Sequence, residues 1–212
     1  MSRPLVIIGG GGHARSVIDA AVAAGREVRG ILERPGAQSG DIPGVPVLGG
    51  DELIYELART CDFLVGVGSV GSMAVRERLH QSVIAAGGTL AVLVAPSAYI
   101  SAAAALGPGT VVLRNAVVGP GAEIGAGCII NTGAIVEHDA VVEDFCHVAT
   151  GAILNGAARL GRSSMVGSRS VVLQCVSVAP ETVIGAGAVV TRNINLPGVY
   201  VGAPARPKRS MI

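Results

Sequence analysis

Three ionisable residues in succession, Glu137-His138-Asp139, interrupt a segment otherwise built from Val, Ile, Ala and Gly, and a second histidine, His147, follows nine residues on. Histidine is the side chain whose ordinary pKa suits proton transfer near neutrality. A neighbouring carboxylate can orient its ring and strengthen it as a base. The chemistry on offer is therefore removal of a proton from an attacking nucleophile. Three polar residues at an outward turn equally need no chemical role. The surrounding architecture has to decide between these readings.

Composition narrows that architecture. Of the 212 residues half are hydrophobic, yet aromatics make up only 2% and Trp is absent, so Val, Ile, Leu and Ala must fill the core. Thirty-one glycines lack the every-third spacing of collagen and point to a tightly turning, repetitive backbone. A net charge of +1 removes the electrostatic case for nucleic-acid or membrane-surface binding. The run LVIIGGGGHA is too short and too rich in glycine to be a signal or membrane segment, so a soluble cytoplasmic protein is expected. Cys61, Cys128, Cys146 and Cys175 form no CxxC pair, which argues against zinc.

Residues 1–94 read as alternating strands and helices, hence a small parallel α/β sheet. The expected strands are 5–8, 27–32, 63–68 and 89–94, and the expected helices 13–25, 51–58 with Asp51 as N-cap, and 72–87. From 95 to 212 the period changes. Every sixth residue from Ile100 to Val190 is Ile, Leu or Val, sixteen in succession without a slip, and two residues before each stands a smaller one such as Ala98, Thr110, Cys128 or Ala134. Such a repeat fits no α-helical period and predicts a parallel β-helix. The three residues after each aliphatic turn the corner, as in Gly107-Pro108-Gly109 and Gly119-Pro120-Gly121, where glycine supplies backbone angles that other residues avoid. Glu137-His138-Asp139 replaces such a corner and must project outward. Cys128 and Cys146, eighteen residues apart, are expected to stack as buried reduced thiols.

The hexad pattern resembles that of the hexapeptide-repeat acyltransferases, in which three hexads make one coil of a left-handed triangular prism. The short α/β domain, EHD in the middle coils and VGAPARP at 201–207 narrow the resemblance to sugar acetyltransferases of the sialic-acid-synthesis, bacillosamine and perosamine type. The resemblance implies acetyl-CoA as co-substrate and no metal. It implies a nucleotide-linked 4-amino-4,6-dideoxy sugar, on UDP or GDP, as acceptor for N-acetylation, within surface-glycan synthesis. By it His138 is the general base and Asp139 the residue that strengthens it, while Glu137 is structural. His147 would lie against the acetyl thioester, and Gly156, Ser168 and Ala186 along the pantetheine. Arg206, Lys208 and Arg209 would stand near the CoA phosphates or form a solvated basic tail. A CoA groove shared between prisms implies a homotrimer.

The segment GGGGHA at 9–14 follows a strand and precedes a helix, and its Gly9-x-Gly11-x-x-Ala14 spacing, with Glu33 at the end of the next strand, approaches a dinucleotide fingerprint. Room for only one mononucleotide unit argues against NAD. The resemblance instead implies that Gly11, Gly12 and His13 approach the sugar and phosphates, Glu33 and Arg34 the base, and Gly68 the floor of that site. The rival readings are a sialic-acid-type O-acetyltransferase, a non-catalytic β-helix protein and an NAD-binding regulator.

Overall fold

The computed structural model describes residues 2–34, 36, 42–68 and 73–208. The chain begins with β1 (Leu5–Ile8), α1 (Gly12–Ala23), β2 (Val28–Leu32), β3 (Val47–Gly49), the short α2 (Ile54–Leu57), β4 (Asp62–Val65), α3 (Ala74–Ala85) and β5 (Thr89–Leu90). These strands form one parallel sheet in the order β3-β2-β1-β4-β5. The central strand β1 is buried along its whole length. That is why it reads as an unbroken apolar run rather than an alternating one.

Several local expectations are corrected. β3 lies inside the Pro/Gly-rich connection and is too short, at three residues, to leave a periodic signal. The sheet continues past β1 through β4 and β5, so it is wider than one mononucleotide unit. Asp51 opens a 3-10 turn with Gly50 at its N-cap position, and its carboxylate faces Arg34 at 3.7 Å instead of capping. The strand expected over 89–94 is divided. Thr89–Leu90 closes the first sheet, whereas Leu93–Val94 pairs with Val111–Val112 in the β-helix.

From Leu93–Val94 to Val189–Val190 a short strand recurs every six residues. Each pairs in parallel with the strand one coil on, as in Val118↔Val136 and Ile130↔Val148. The result is a prism of three sheets. The aliphatic beat and the small residues two positions earlier share one interior cluster, from Val112 and Ala116 to Ala188 and Val190. Cys128 and Cys146 are buried and unpaired, and burial pushes the Cys128 thiol up to about 12, so both are inert core residues. The beat shortens at the end. Ile194 bridges Val178 and Tyr200 pairs with Ile184, so the last turn has two residues fewer than the coils before it.

The corner glycines serve two purposes rather than one. The third corner residue adopts positive φ whether or not it is glycine: Gly121 is at 70°, Asp139 at 58° and Ala157 at 56°. The first corner glycine answers to crowding. A Cβ on Gly107 would stand 2.5 Å from the Gly125 carbonyl carbon one coil on.

The α/β unit covers one face of the prism, formed by Leu93–Val94, Val111–Val112, Ile129–Ile130, His147–Val148 and Met165–Val166. Leu5, Ile7, Ala14 and Val17 share a core cluster with Leu93, Val111, Leu113 and Ile129. α3 also grips the edge where the chain enters this docked face. There Arg162 pairs with Glu77 and, at 2.9 Å, with Asp144, while its guanidinium lies 4.8 Å from the Phe145 ring centre. His80 meets the same ring edge-on at 5.1 Å. Its imidazole fills the notch left by Gly109, where a Cβ would come within 2.1 Å of its Cε1.

This junction makes stability depend on pH. Burial, with Arg76 nearby, pushes His80 down to about 4. Between its ordinary pKa of 6.5 and about 4 the unfolded chain binds the proton that the folded one refuses. The stability contributed by neutral His80 is therefore complete above pH 6.5 and is lost as the pH falls through that window. Urea midpoints measured across the range should fall with acidification, and His80→Gln should flatten the slope.

Candidate active site

The segment Glu137-His138-Asp139 turns the edge between the strands Ile135–Val136 and Val141–Val142, which belong to the two faces that the α/β unit leaves uncovered. Backbone bonds lock this corner into its column. Asp139 N–H donates to the Pro120 carbonyl at 3.0 Å, and Ala157 N–H to the His138 carbonyl at 2.9 Å. Left-handed φ at Asp139, a conformation that Asp tolerates better than most residues, accompanies the turning of its carboxylate back onto the preceding ring. His138 Nδ1 lies 2.9 Å from Asp139 Oδ2.

An ionised carboxylate only accepts, so Nδ1 carries the ring proton and Nε2 presents its lone pair. The pair is open to solvent, with side chains 59% and 69% exposed. Glycines one coil before and one coil after make the space. A Cβ on Gly121 would stand 2.5 Å from Asp139 Oδ1, and one on Gly156 would stand 2.5 Å from His138 Nε2. Gly156 is thus first of all the seat of the catalytic candidate's ring. Glu137 Oε2 accepts the His138 N–H at 3.4 Å.

His147 is placed differently. It lies on the docked face, 8% exposed, in register with Ile129 and Met165. Asn131 Oδ1 accepts the Thr132 N–H at 2.8 Å, so the Asn131 amide group donates to His147 Nε2 at 3.1 Å, which puts the His147 proton on Nδ1. Asn131 has no distinguishing mark in the sequence, because corner asparagines also stand at 115 and 155. His138 lies on the edge opposite the docked face. One chain therefore does not bring His138 and His147 together.

The expected CoA residues divide in the same way. Ser168 and Ala186 are exposed and stacked one coil apart, with Gly187 N–H donating to the Ser168 carbonyl at 2.9 Å, on the edge beside His147. Gly156 lies across the intervening face, under His138. The column of Ser168 and Ala186 runs on toward Gly202, whose carbonyl accepts the Val189 N–H. Arg192, Asn193, Tyr200 and Arg206 line a cavity of about 200 Å³ at this end of the prism. Lys208 is exposed, and Arg209 lies outside the described residues.

In the α/β unit, Gly9, Leu32, Glu33, Arg34, Asp51, Val67 and Arg78 line a cleft of about 160 Å³. It opens at the carboxyl ends of β1, β2 and β4, where the strand order reverses, the usual ligand position in such sheets. Gly9 is required there, since its φ is +97° and a Cβ would press within 2.6 Å of Val67. Gly11 and Gly12 begin α1 with open space beside them. Glu33 accepts the Gly10 N–H and thereby ties down the loop, while Arg34 is held by Asp51. A Cβ on Gly68 would lie 3.1 Å from that of His13. His13 is pushed down to about 3, by burial first and then by Arg76 and His147, so its imidazole is neutral near pH 7.

Among the described residues no helix is long and apolar enough to cross a membrane, and no cluster of His, Cys, Asp and Glu could hold a metal ion. Residues 4–83 match the family described as the PglD N-terminal domain. No curated protein sequence matches the chain. Among solved structures, the acetyltransferase domain of PglB from Neisseria gonorrhoeae FA1090 is similar over 98% of this chain and 100% of its own, at 33% identity and a TM-score of 0.91. The same domain in complex with acetyl coenzyme A matches at 34% identity and 0.90, with the same coverage. PerB from Caulobacter crescentus, in complex with CoA and GDP-perosamine, is 32% identical with a TM-score of 0.89, covering 97% of each chain. With these similarities spanning both the α/β sheet and the left-handed parallel β-helix, the chain belongs to the hexapeptide-repeat sugar acetyltransferases of the PglB and PerB type.

Proposed function

We propose that the protein transfers acetyl from acetyl-CoA to the amino group of a nucleotide-linked 4-amino-4,6-dideoxy sugar, with His138 as general base. The observation that carries this reading is the solvent-open His138–Asp139 pair, its ring seated against Gly156, in a chain a third identical to PerB. The acceptor amine would lose its proton to Nε2 as its nitrogen bonds to the thioester carbonyl carbon. Collapse of the tetrahedral oxyanion would then break the C–S bond, and the imidazolium would return the proton to the departing thiolate. Asp139 holds the ring in the tautomer this requires and offsets the charge that forms on it. Donors near His147 or a corner N–H would stabilise the oxyanion.

These roles need more than one copy of the chain. A sugar held in the cleft and by His13 lies on the docked-face side of the prism, whereas its own His138 stands on the opposite edge. A second copy would supply His138 and Gly156, facing the edge that carries Ser168 and Ala186, and the pantetheine would run between them toward Arg192 and Arg206. Closing that arrangement gives a homotrimer. Its contact would cover the uncovered face on which Tyr99, Val117, Ile135, Ile153, Val171 and Val189 point outward as an apolar ladder.

Incubation with acetyl-CoA and a panel of UDP- and GDP-linked amino sugars, read by mass, should show one acetyl group added to the amine. Acetylation of a hydroxyl would transfer the reading to the sialic-acid type. Thermal stabilisation by NAD but not by CoA would sink it.

A further inference from the structure

Arg76 on α3 is 1% exposed, yet all three groups it bonds are neutral carbonyls. Its Nη1 donates to Val65 O at 2.8 Å and to Val67 O at 2.6 Å, and its Nη2 donates to Gly127 O at 3.1 Å. A buried cation is expensive, and Leu79 and Val83 on the same helix show that α3 also packs by apolar contact. An arginine here does what an apolar residue cannot, because its planar fork fixes several acceptors in one geometry.

The acceptors are informative. Val65 ends β4, Gly66 N–H makes one more bond to Ile8 O at 2.7 Å, and Val67 lies just beyond that bond. Val67 lines the cleft and crowds Gly9, and Gly68 abuts His13. Gly127, the third acceptor, belongs to the prism corner that leads into Ile129, which pairs with His147. One guanidinium therefore joins the floor of the cleft to the coil next to His147.

We propose that Arg76 is a positioning residue which, by clamping Val65 and Val67 to the Gly127 corner, sets where the acceptor sugar rests relative to the thioester. This rests on the reading that the nucleotide sugar occupies the cleft and the acetyl group lies near His147. Burial holds Arg76 down at about 10, still charged near neutrality, so the clamp persists under assay conditions.

The test is Arg76→Lys in the whole chain, which keeps the charge but loses the fork, with Phe145→Leu as a variant that loosens the same junction without touching Val67. Assayed well below their melting temperatures, Arg76→Lys should lower kcat/KM for the nucleotide sugar by ~10-fold or more while KM for acetyl-CoA stays within about twofold. Phe145→Leu should leave both constants near wild type. Equal losses in the two variants, or unchanged acceptor kinetics in Arg76→Lys, would overturn the proposal. If Arg76→Lys does not fold, hydrogen exchange in the wild type decides. The nucleotide sugar should slow the amides of Gly66–Gly68 and also those of Gly127–Ile129, and protection that stops at Gly68 refutes the coupling. A wild type inactive on every amino sugar removes the functional reading itself, an outcome separate from either of these.

Discussion

His138→Ala should reduce kcat by roughly 10²–10⁴ and leave the dissociation constant for acetyl-CoA unchanged. The size follows from what the alanine removes: the proposed general base, held by Asp139 at 2.9 Å in the tautomer that leaves the lone pair on Nε2. Binding should survive, because Ser168 and Ala186 lie on another edge. The fold should survive as well, since His138 is exposed and the six-residue beat of Val136 and Val142 is untouched. Steady-state kinetics on the amino sugar, together with calorimetric titration of acetyl-CoA, would check both halves. Wild-type turnover in this variant would exclude His138 from the mechanism.

Gly156→Ala should be nearly as damaging, by ~10²-fold in kcat, although it adds a single methyl group. The new Cβ would stand 2.5 Å from His138 Nε2 and 2.6 Å from Cε1, separations that real structures do not sustain. The corner is locked, with Cys175 N–H donating to the Gly156 carbonyl at 2.9 Å, so the imidazole has to yield by rotating away from Asp139. Gly156 does not have positive φ, so its backbone accepts alanine and the melting temperature should change little. Kinetics separate the two roles that Gly156 could have. A lost CoA contact raises KM for acetyl-CoA, whereas a displaced ring lowers kcat, and the geometry favours the second. An unchanged kcat with a raised KM would return Gly156 to a purely CoA-binding role.

Parts of this site were legible before any coordinates. The hexad beat placed Glu137-His138-Asp139 at an outward corner because the spacing of Val136 and Val142 leaves no other register, whereas only the coordinates decided that Asp139 reaches the ring of His138. The buried thiols of Cys128 and Cys146 were legible from the same beat. Other features left no trace in the chain. β3 is too short to show a period, and Asp51 resembles an N-cap until Arg34 is beside it. Arg76 looks like any polar residue on an amphipathic helix, because the carbonyls it bonds come from residues 65, 67 and 127.

What the sequence by itself determined is the periodic part of the protein: a prism whose interior, corners and outward triplet are dictated by a local six-residue repeat. A repeat stacks only on its neighbours, so its structure can be read along the chain. Only the tertiary structure decided which face of that prism the α/β unit covers. That choice depends on residues far apart in sequence, such as Val17 and Ile129, which share one core cluster, and Arg76, which bonds Gly127. It also decided that His138 and His147, nine residues apart in the chain, stand on opposite sides of the prism, because half a coil is enough to turn a side chain from one side to the other.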